Sequence, residues 1–128
     1  MLTNKKRRSF RRDRMHEASI ALDLLDIATE HCRKSGYSKI DSINLKIGRA
    51  SGVMPDALIF SFDAIKKDSF ADGALLNIDE VPVSGVCREC SSKFTVDEEY
   101  VLSCPVCKSN KFNIVSGREM DIIDMEVS

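Results

Sequence analysis

Apolar positions near the start of the chain recur at intervals of three and four. From His16 to Ser35, Ile20, Leu24 and Ile27 form a stripe flanked by Ala21, Leu25 and Ala28, with Asp23, Asp26 and Glu30 among the polar positions. That period predicts an amphipathic helix, with Lys34 at the negative end of its dipole and Gly36 as its stop. Between Lys39 and Gly48 the period falls to two: Ile43, Leu45 and Ile47 alternate with Asn44 and Lys46, which predicts a half-buried strand. Pro55 and Asp56 suit the first turn of a second helix, whose stripe is Leu58, Ile59, Phe62 and Ile65. Asp72-Gly73 turns the chain into a second strand, about Leu75 to Val83. Its apolar set changes phase from Leu76 and Ile78 to Val81 and Val83, so a bulge or bend is expected near Asp79-Glu80. A last strand, Glu119 to Val127, changes phase in the same way, from Met120 and Ile122 to Ile123, Met125 and Val127.

Between the last two strands the hydrophobic pattern gives way to cysteines. Cys87 and Cys90 form one Cys-x-x-Cys pair, and Cys104 and Cys107 form another after thirteen intervening residues. Two residues between cysteines let one tight turn aim both sulfurs at a single ion, and the interval is long enough for a hairpin that brings the pairs together. The spacing fits four-thiolate Zn(II), against free thiols or two disulfides. Four sulfurs leave no coordination position for a substrate, so the expected zinc is structural. Cys32, in the row Ala21, Leu25, Ala28, Cys32, reads as a small buried hydrophobe.

These elements predict an α/β (α+β) fold: a small three-stranded mixed sheet with two helices on one face, carrying an inserted zinc-ribbon-like lobe. The expected boundaries are residues 15–83 plus 118–128 for the α/β domain and 84–117 for the zinc-binding lobe. The passage from 39 to 83 would be a right-handed crossover if its strands are parallel. The strands entering and leaving the lobe are expected to pair antiparallel.

Composition changes this picture at one end only. A chain of 128 residues with a 43% hydrophobic content supports one modest, aliphatic core. No run approaches the roughly 18 apolar residues of a membrane span, and no signal-peptide core follows the basic start, so a cytoplasmic protein is expected. Free thiols in zinc spacing fit a reducing compartment. The net charge of −1 conceals an asymmetry. Residues 1–14 hold seven basic side chains against Asp13, a net of +6, while the other 114 carry 12 basic and 19 acidic groups, or −7. The tail is expected to be a disordered basic arm. Its readings are a contact to nucleic-acid phosphates, a solvated tail without a role, or sequence upstream of a true start at Met15.

The chain shows no general catalytic motif. With only His16 and His31, a Ser-His-Asp device has few places to sit, and the glycines from Gly48 to Gly52 lack the Lys-Ser/Thr of a P-loop. His31 has no second ligand at helical spacing and reads as a helix-surface histidine. One site depends on the start. A chain opening at Met15 presents Met15-His16-Glu17, whose free amine, following amide nitrogen and imidazole can chelate one ion in adjacent rings. Nitrogen ligands in a plane suit Ni(II) or Cu(II). The alternative is that these residues are the first helical turn and nothing more.

The residues also match a family pattern. Met15 to Ile20, Leu45-Lys46-Ile47-Gly48 with Ser51-Gly52-Val53, the start at Pro55 with Ala57-Leu58, Gly73-Ala74, the double Cys-x-x-Cys with Cys104-Pro105, and Gly117-Arg118-Glu119-Met120 together resemble the HypA nickel-insertion proteins. The resemblance spans residues 15–128 in order. It implies a cytoplasmic, non-enzymatic metallochaperone that carries Ni(II) as cargo to nickel–iron hydrogenase and, in some organisms, urease. It further implies nickel at the Met15 amine and His16 with help from Glu17, zinc at Cys87, Cys90, Cys104 and Cys107, and a GTPase partner, HypB. The hydrogenase large subunit precursor would be the recipient, and a homodimer is left open. The competing reading is a zinc-ribbon nucleic-acid-binding module using residues 1–14 as its arm, against which the −7 body speaks. A third is a zinc-stapled interaction protein without nickel.

Overall fold

A computed structural model describes residues 17–128, together with the backbone of Leu2–Thr3 (β1) and Arg8–Ser9 (β2). Met15, His16 and the rest of the basic tail lie outside the described residues. The first helix, α1 (Glu17–Lys34), buries Ile20, Ala21, Leu24, Ala28 and Cys32, while Leu25 and Ile27 of the expected stripe are only partly buried against the core. It ends where the sequence predicts. Gly36 adopts φ +86, its N–H donates to the Arg33 carbonyl and the Tyr37 N–H to the Cys32 carbonyl, the paired bonds of a glycine-terminated helix.

The chain then forms β3 (Ile40–Gly48), α2 (Pro55–Ile65) and β4 (Leu75–Val81), and after the cysteine lobe returns as β8 (Met120–Val127). β3 is central: it pairs parallel with β4 and antiparallel with β8, which makes the sheet mixed. The two-residue strands β1 and β2 extend it beyond β8. Ile43, Leu45 and Ile47 of β3 meet Leu58 and Phe62 of α2 and the α1 stripe in one core, closed by Leu76, Met120, Ile122, Met125 and Val127. On the β3 positions between them, Asn44 donates to Asp124 at 2.5 Å and accepts from Asn77 at 3.0 Å, a polar ladder across all three long strands.

The phase change in the last strand is a bulge. Asn44 opposes Asp124 while Leu45 opposes Ile122, so Ile123 is the extra residue and the buried set shifts register there. The phase change after Ile78 has another cause. β4 pairs with β3 without a break from Leu75 to Val81, so no bulge sits at Asp79-Glu80. Pro82, which has no N–H to give a ladder, ends β4, and the chain enters a second sheet.

That sheet is β5 (Val83–Cys87), β6 (Lys93–Val96) and β7 (Phe112–Ser116), in the order β6-β5-β7 and antiparallel throughout. The expected pairing of the strands flanking the lobe is corrected accordingly: β4 and β8 are separated by β3, and the antiparallel partners are β5 and β7 inside the lobe. Body and lobe meet at a backbone crossing. A Cβ on Gly48 would lie 2.1 Å from the carbonyl carbon and oxygen of Gly117.

Two substitutions on one helix test the core assignment. Phe62 is fully buried and Phe60 is 75% exposed. Phe62→Ala is expected to cost about 3–5 kcal/mol in urea unfolding, and Phe60→Ala to stay within about 0.5 kcal/mol of the parent. At the crossing, Gly48→Ala forces backbone apart and is expected to lower stability by about 3 kcal/mol or more by the same measurement.

Candidate metal centre

The lobe has little apolar matter with which to hold itself. Its core is Cys87, Phe94 and Cys104, against which Val96, Val101 and Phe112 pack, and the Phe94 and Phe112 rings meet edge to face at 5.8 Å. Gly85 lies beneath Phe94, whose ring would stand 2.8 Å from any Cβ there. So small a core leaves the fold dependent on whatever ties the cysteines together.

Two turns of the same design present them. The Ser91 N–H donates to the Cys87 carbonyl at 3.1 Å and the Lys108 N–H to the Cys104 carbonyl at 2.8 Å. Ser91 and Lys108, each directly after the second cysteine of its pair, adopt φ of 61 and 67, the left-handed conformation that closes the turn. Backbone N–H groups point at the sulfurs: Glu89 and Cys90 donate to Cys87 Sγ at 3.4 and 3.5 Å, and Val106 to Cys104 Sγ at 3.4 Å.

The four sulfurs lie within 4.8 Å of one another, with Cys87 to Cys107 at 3.5 Å and Cys90 to Cys104 at 3.8 Å. A tetrahedron with metal–sulfur bonds of about 2.3 Å has edges of about 3.8 Å. The cluster is therefore already the size of a tetrahedral thiolate site, and the donor set fits a soft divalent ion. Among the described residues it is the one group of three or more His, Cys, Asp or Glu side chains placed to share an ion. The thiols do not titrate alike. Hydrogen bonds from Ser92 hold Cys90 down at about 6. On Cys107 the largest influence, a hydrogen bond from the Ser109 backbone, lowers the value, but hydrogen bonds with the other three cysteines and burial together push it up to about 12.

The remaining candidates fall elsewhere. Glu17 is the first residue of α1, and its Oε2 accepts from the Met54 N–H at 3.2 Å. Met54 is the N-cap of α2 and makes no side-chain cap of its own, so a carboxylate from another helix supplies an acceptor at that end. Pattern reasoning did not find this bond; the signal available was Met54, a residue that cannot cap, in a capping position. The loop leading to it borders a cavity of about 190 Å³ lined by Arg49, Val53, Met54, Pro55, Asp56, Glu80 and Glu99. His31 lies on the outer face of α1 beside Asp26, Glu30 and Lys34. Cys32 is buried, and burial raises its pKa.

Residues 15–127 match the family model described as hydrogenase/urease nickel incorporation, metallochaperone, HypA. The chain is 38% identical over 115 residues to a hydrogenase maturation factor HypA of Desulfatibacillum aliphaticivorans, an alignment covering 89% of this chain and 88% of that one. It is 41% identical over 113 residues to the HypA of Pelodictyon phaeoclathratiforme, covering 88% and 96%. Its fold matches the solution structure of the nickel metallochaperone HypA from Helicobacter pylori with a TM-score of 0.62, at 27% identity, over 88% of this chain and 97% of that one.

Removal of the ion tests this dependence. Stripping metal from the protein should open Cys87, Cys90, Cys104 and Cys107 to alkylation, read by peptide mass mapping, while Cys32, buried in the body, stays protected. Alkylation of the four cysteines unchanged by chelation would contradict the assignment.

Proposed function

The chain belongs to the HypA family of nickel-incorporation metallochaperones, a hydrogenase maturation factor with a four-cysteine metal site, and from that premise we propose that Met15, His16 and Glu17 take up Ni(II) while the four cysteines hold structural Zn(II). The observation that carries this reading is that the family match begins at Met15, the first residue of the one nitrogen-rich chelate in the sequence. Nickel is cargo here, not a resident cofactor.

The two sites divide the work by exchange rate. Cys87, Cys90, Cys104 and Cys107 surround their ion completely, and zinc held there contributes folding energy to a lobe that lacks a core of its own. A chelate at the start of a helix is open to solvent and to a recipient. Its donors are the Met15 amine, the following amide nitrogen and the His16 imidazole, with the Glu17 carboxylate beside them. The amine serves only when residue 15 is the first of the chain; a peptide bond to Arg14 turns it into an amide and leaves His16 to bind with a different ligand set.

Delivery requires partners. The family resemblance implies a partner GTPase of the HypB kind, with which the lack of a nucleotide-binding motif in this chain is in keeping, and a recipient that is the hydrogenase large subunit precursor or, in organisms that have it, urease. These steps are placed in the cytoplasm; no helix among the described residues is long and apolar enough to cross a membrane. The nucleic-acid reading loses its support, since the arm it relies on lies outside the family match and the body carries −7.

Nickel titration of protein whose first residue is Met15, with metal content read by mass spectrometry, tests the assignment. The parent should bind nickel with an affinity that rises with pH as the amine, of reference pKa about 7.7–8.0, loses its proton. His16→Ala should lose the nickel and keep the zinc. Unchanged nickel binding in that variant would remove Met15-His16-Glu17 from the reading.

A further inference from the structure

We propose that the cleft between body and lobe is a docking groove, and that its occupant is an extended segment of a partner protein in which apolar side chains are flanked by an acidic and a basic one. Both halves of the chain build the cleft. Arg49 comes from the loop after β3, Tyr100 and Val101 from the loop between β6 and β7, Phe112 and Ile114 from β7, and Arg118 from the connection to β8. Their cavity is about 510 Å³, within the range of about 300–1,000 Å³ that holds organic ligands. Arg49 and Glu99 also line the cavity of about 190 Å³ beside the start of α2. The two cavities therefore adjoin, and the groove they make runs from the lobe to Met54 and Asp56. Two chambers in a row suit a stretch of chain better than a compact molecule.

Apolar surface continues past the rim. Tyr100 and the nearby Leu102 are exposed although both are large and apolar, as at a surface that meets another protein. Charge selects the occupant. The chamber on the lobe side carries Arg49 and Arg118 against Glu99, whereas the chamber on the α2 side carries Asp56, Glu80 and Glu99 against Arg49. One end is positive and the other negative. Arg49, Asp56, Glu80 and Glu99 are all exposed, and none of them forms an ion pair among the described residues. Their charges are thus available to a ligand, the first to an acidic side chain and Glu80 and Asp56 to a basic one. The apolar floor between them takes the side chains in the middle. The proposal makes no use of nickel, and its failure would leave the metal assignment untouched.

The test uses the full chain with its metal site filled and a synthetic peptide, acetyl-Gly-Asp-Phe-Leu-Lys-Gly-amide. Titration followed by NMR should shift the amides of Ala50, Val101, Phe112 and Ile114 saturably and leave that of His31, on the outer face of α1, in place. Arg49→Gln alters an exposed side chain and should weaken binding about three- to fivefold at low salt, the scale of an exposed ion pair. Changing the peptide Asp to Asn should weaken binding to the parent as much and to that variant hardly at all. Glu80→Gln and a change of the peptide Lys to Gln should form a second coupled pair. Absence of saturable shifts at those amides would overturn the proposal, as would charge changes that simply add. Acetylphenylalanine amide binding as tightly as the peptide would make the cleft a small-molecule pocket and overturn it too. Self-association of the chain without peptide, relieved by Arg49→Gln, would make a second copy the occupant and overturn it equally.

Discussion

Where β3 ends and β7 passes into β8, the Gly48 and Gly117 backbones approach so closely that neither tolerates a side chain. Gly117 holds φ +113, and a Cβ on it would meet the Val83 Cα at 2.8 Å. Only glycine fills both positions without strain. The close approach is fastened by hydrogen bonds from Gly48 N to Glu119 O at 2.8 Å, Arg49 N to Val81 O at 2.9 Å and Ala50 N to Gly117 O at 2.7 Å. Both connections between body and lobe are thereby secured to the same end of β3. The loop from Arg49 to Val53 takes its place from this contact, and the loop carries Met54, whose N–H holds Glu17. The geometry at the start of α1 thus depends on two missing side chains some thirty and one hundred residues further along the chain.

The two halves are stable for different reasons. The body buries a continuous core from Ile20 to Val127, with aliphatic side chains from two helices and three strands. Transfer of that surface from water is sufficient for a domain of this size. The lobe has one buried phenylalanine and two buried cysteines, and four sulfurs already spaced for an ion. Its stability is a binding equilibrium added to a weak fold. Loss of an ion from the four cysteines would therefore act first on the lobe, which the hydrogen bond from Ala50 N to Gly117 O ties to the body.

Much of this was legible in the sequence because period and spacing are local signals. The stripe on α1, the alternation in β3, the helix start at Pro55 and the four cysteines each need only a window of a few residues, and all appear as read. The bulge at Ile123 was visible as a change of phase for the same reason. The similar change after Ile78 was misread, since a bulge and a passage to another sheet leave the same mark in a single strand; Pro82 was the residue that distinguished them. The order β8-β3-β4 was not legible, because nothing in one strand names its neighbour. The Gly48–Gly117 crossing and the bond from Glu17 to Met54 join residues 69 and 37 positions apart, and such contacts have no local signature.

On the proposed reading of Met15-His16-Glu17 as the nickel site, the Glu17 bond would bear on ion transfer. A hydrogen bond to a carboxylate is worth about 1.5–3 kcal/mol at most and less where water can replace it, as it can at this exposed position. Holding Glu17 to Met54 therefore orients the first turn of α1 without committing the carboxylate. On that reading an ion arriving at the turn would compete with one weak donor, and on leaving would give the acceptor back. A carboxylate buried in a full set of donors would orient more firmly but would raise the cost of each exchange. A carrier needs its ligands ordered before the ion arrives and released after it departs, and with Glu17 as a ligand a single solvent-exposed bond between two helix starts would satisfy both requirements.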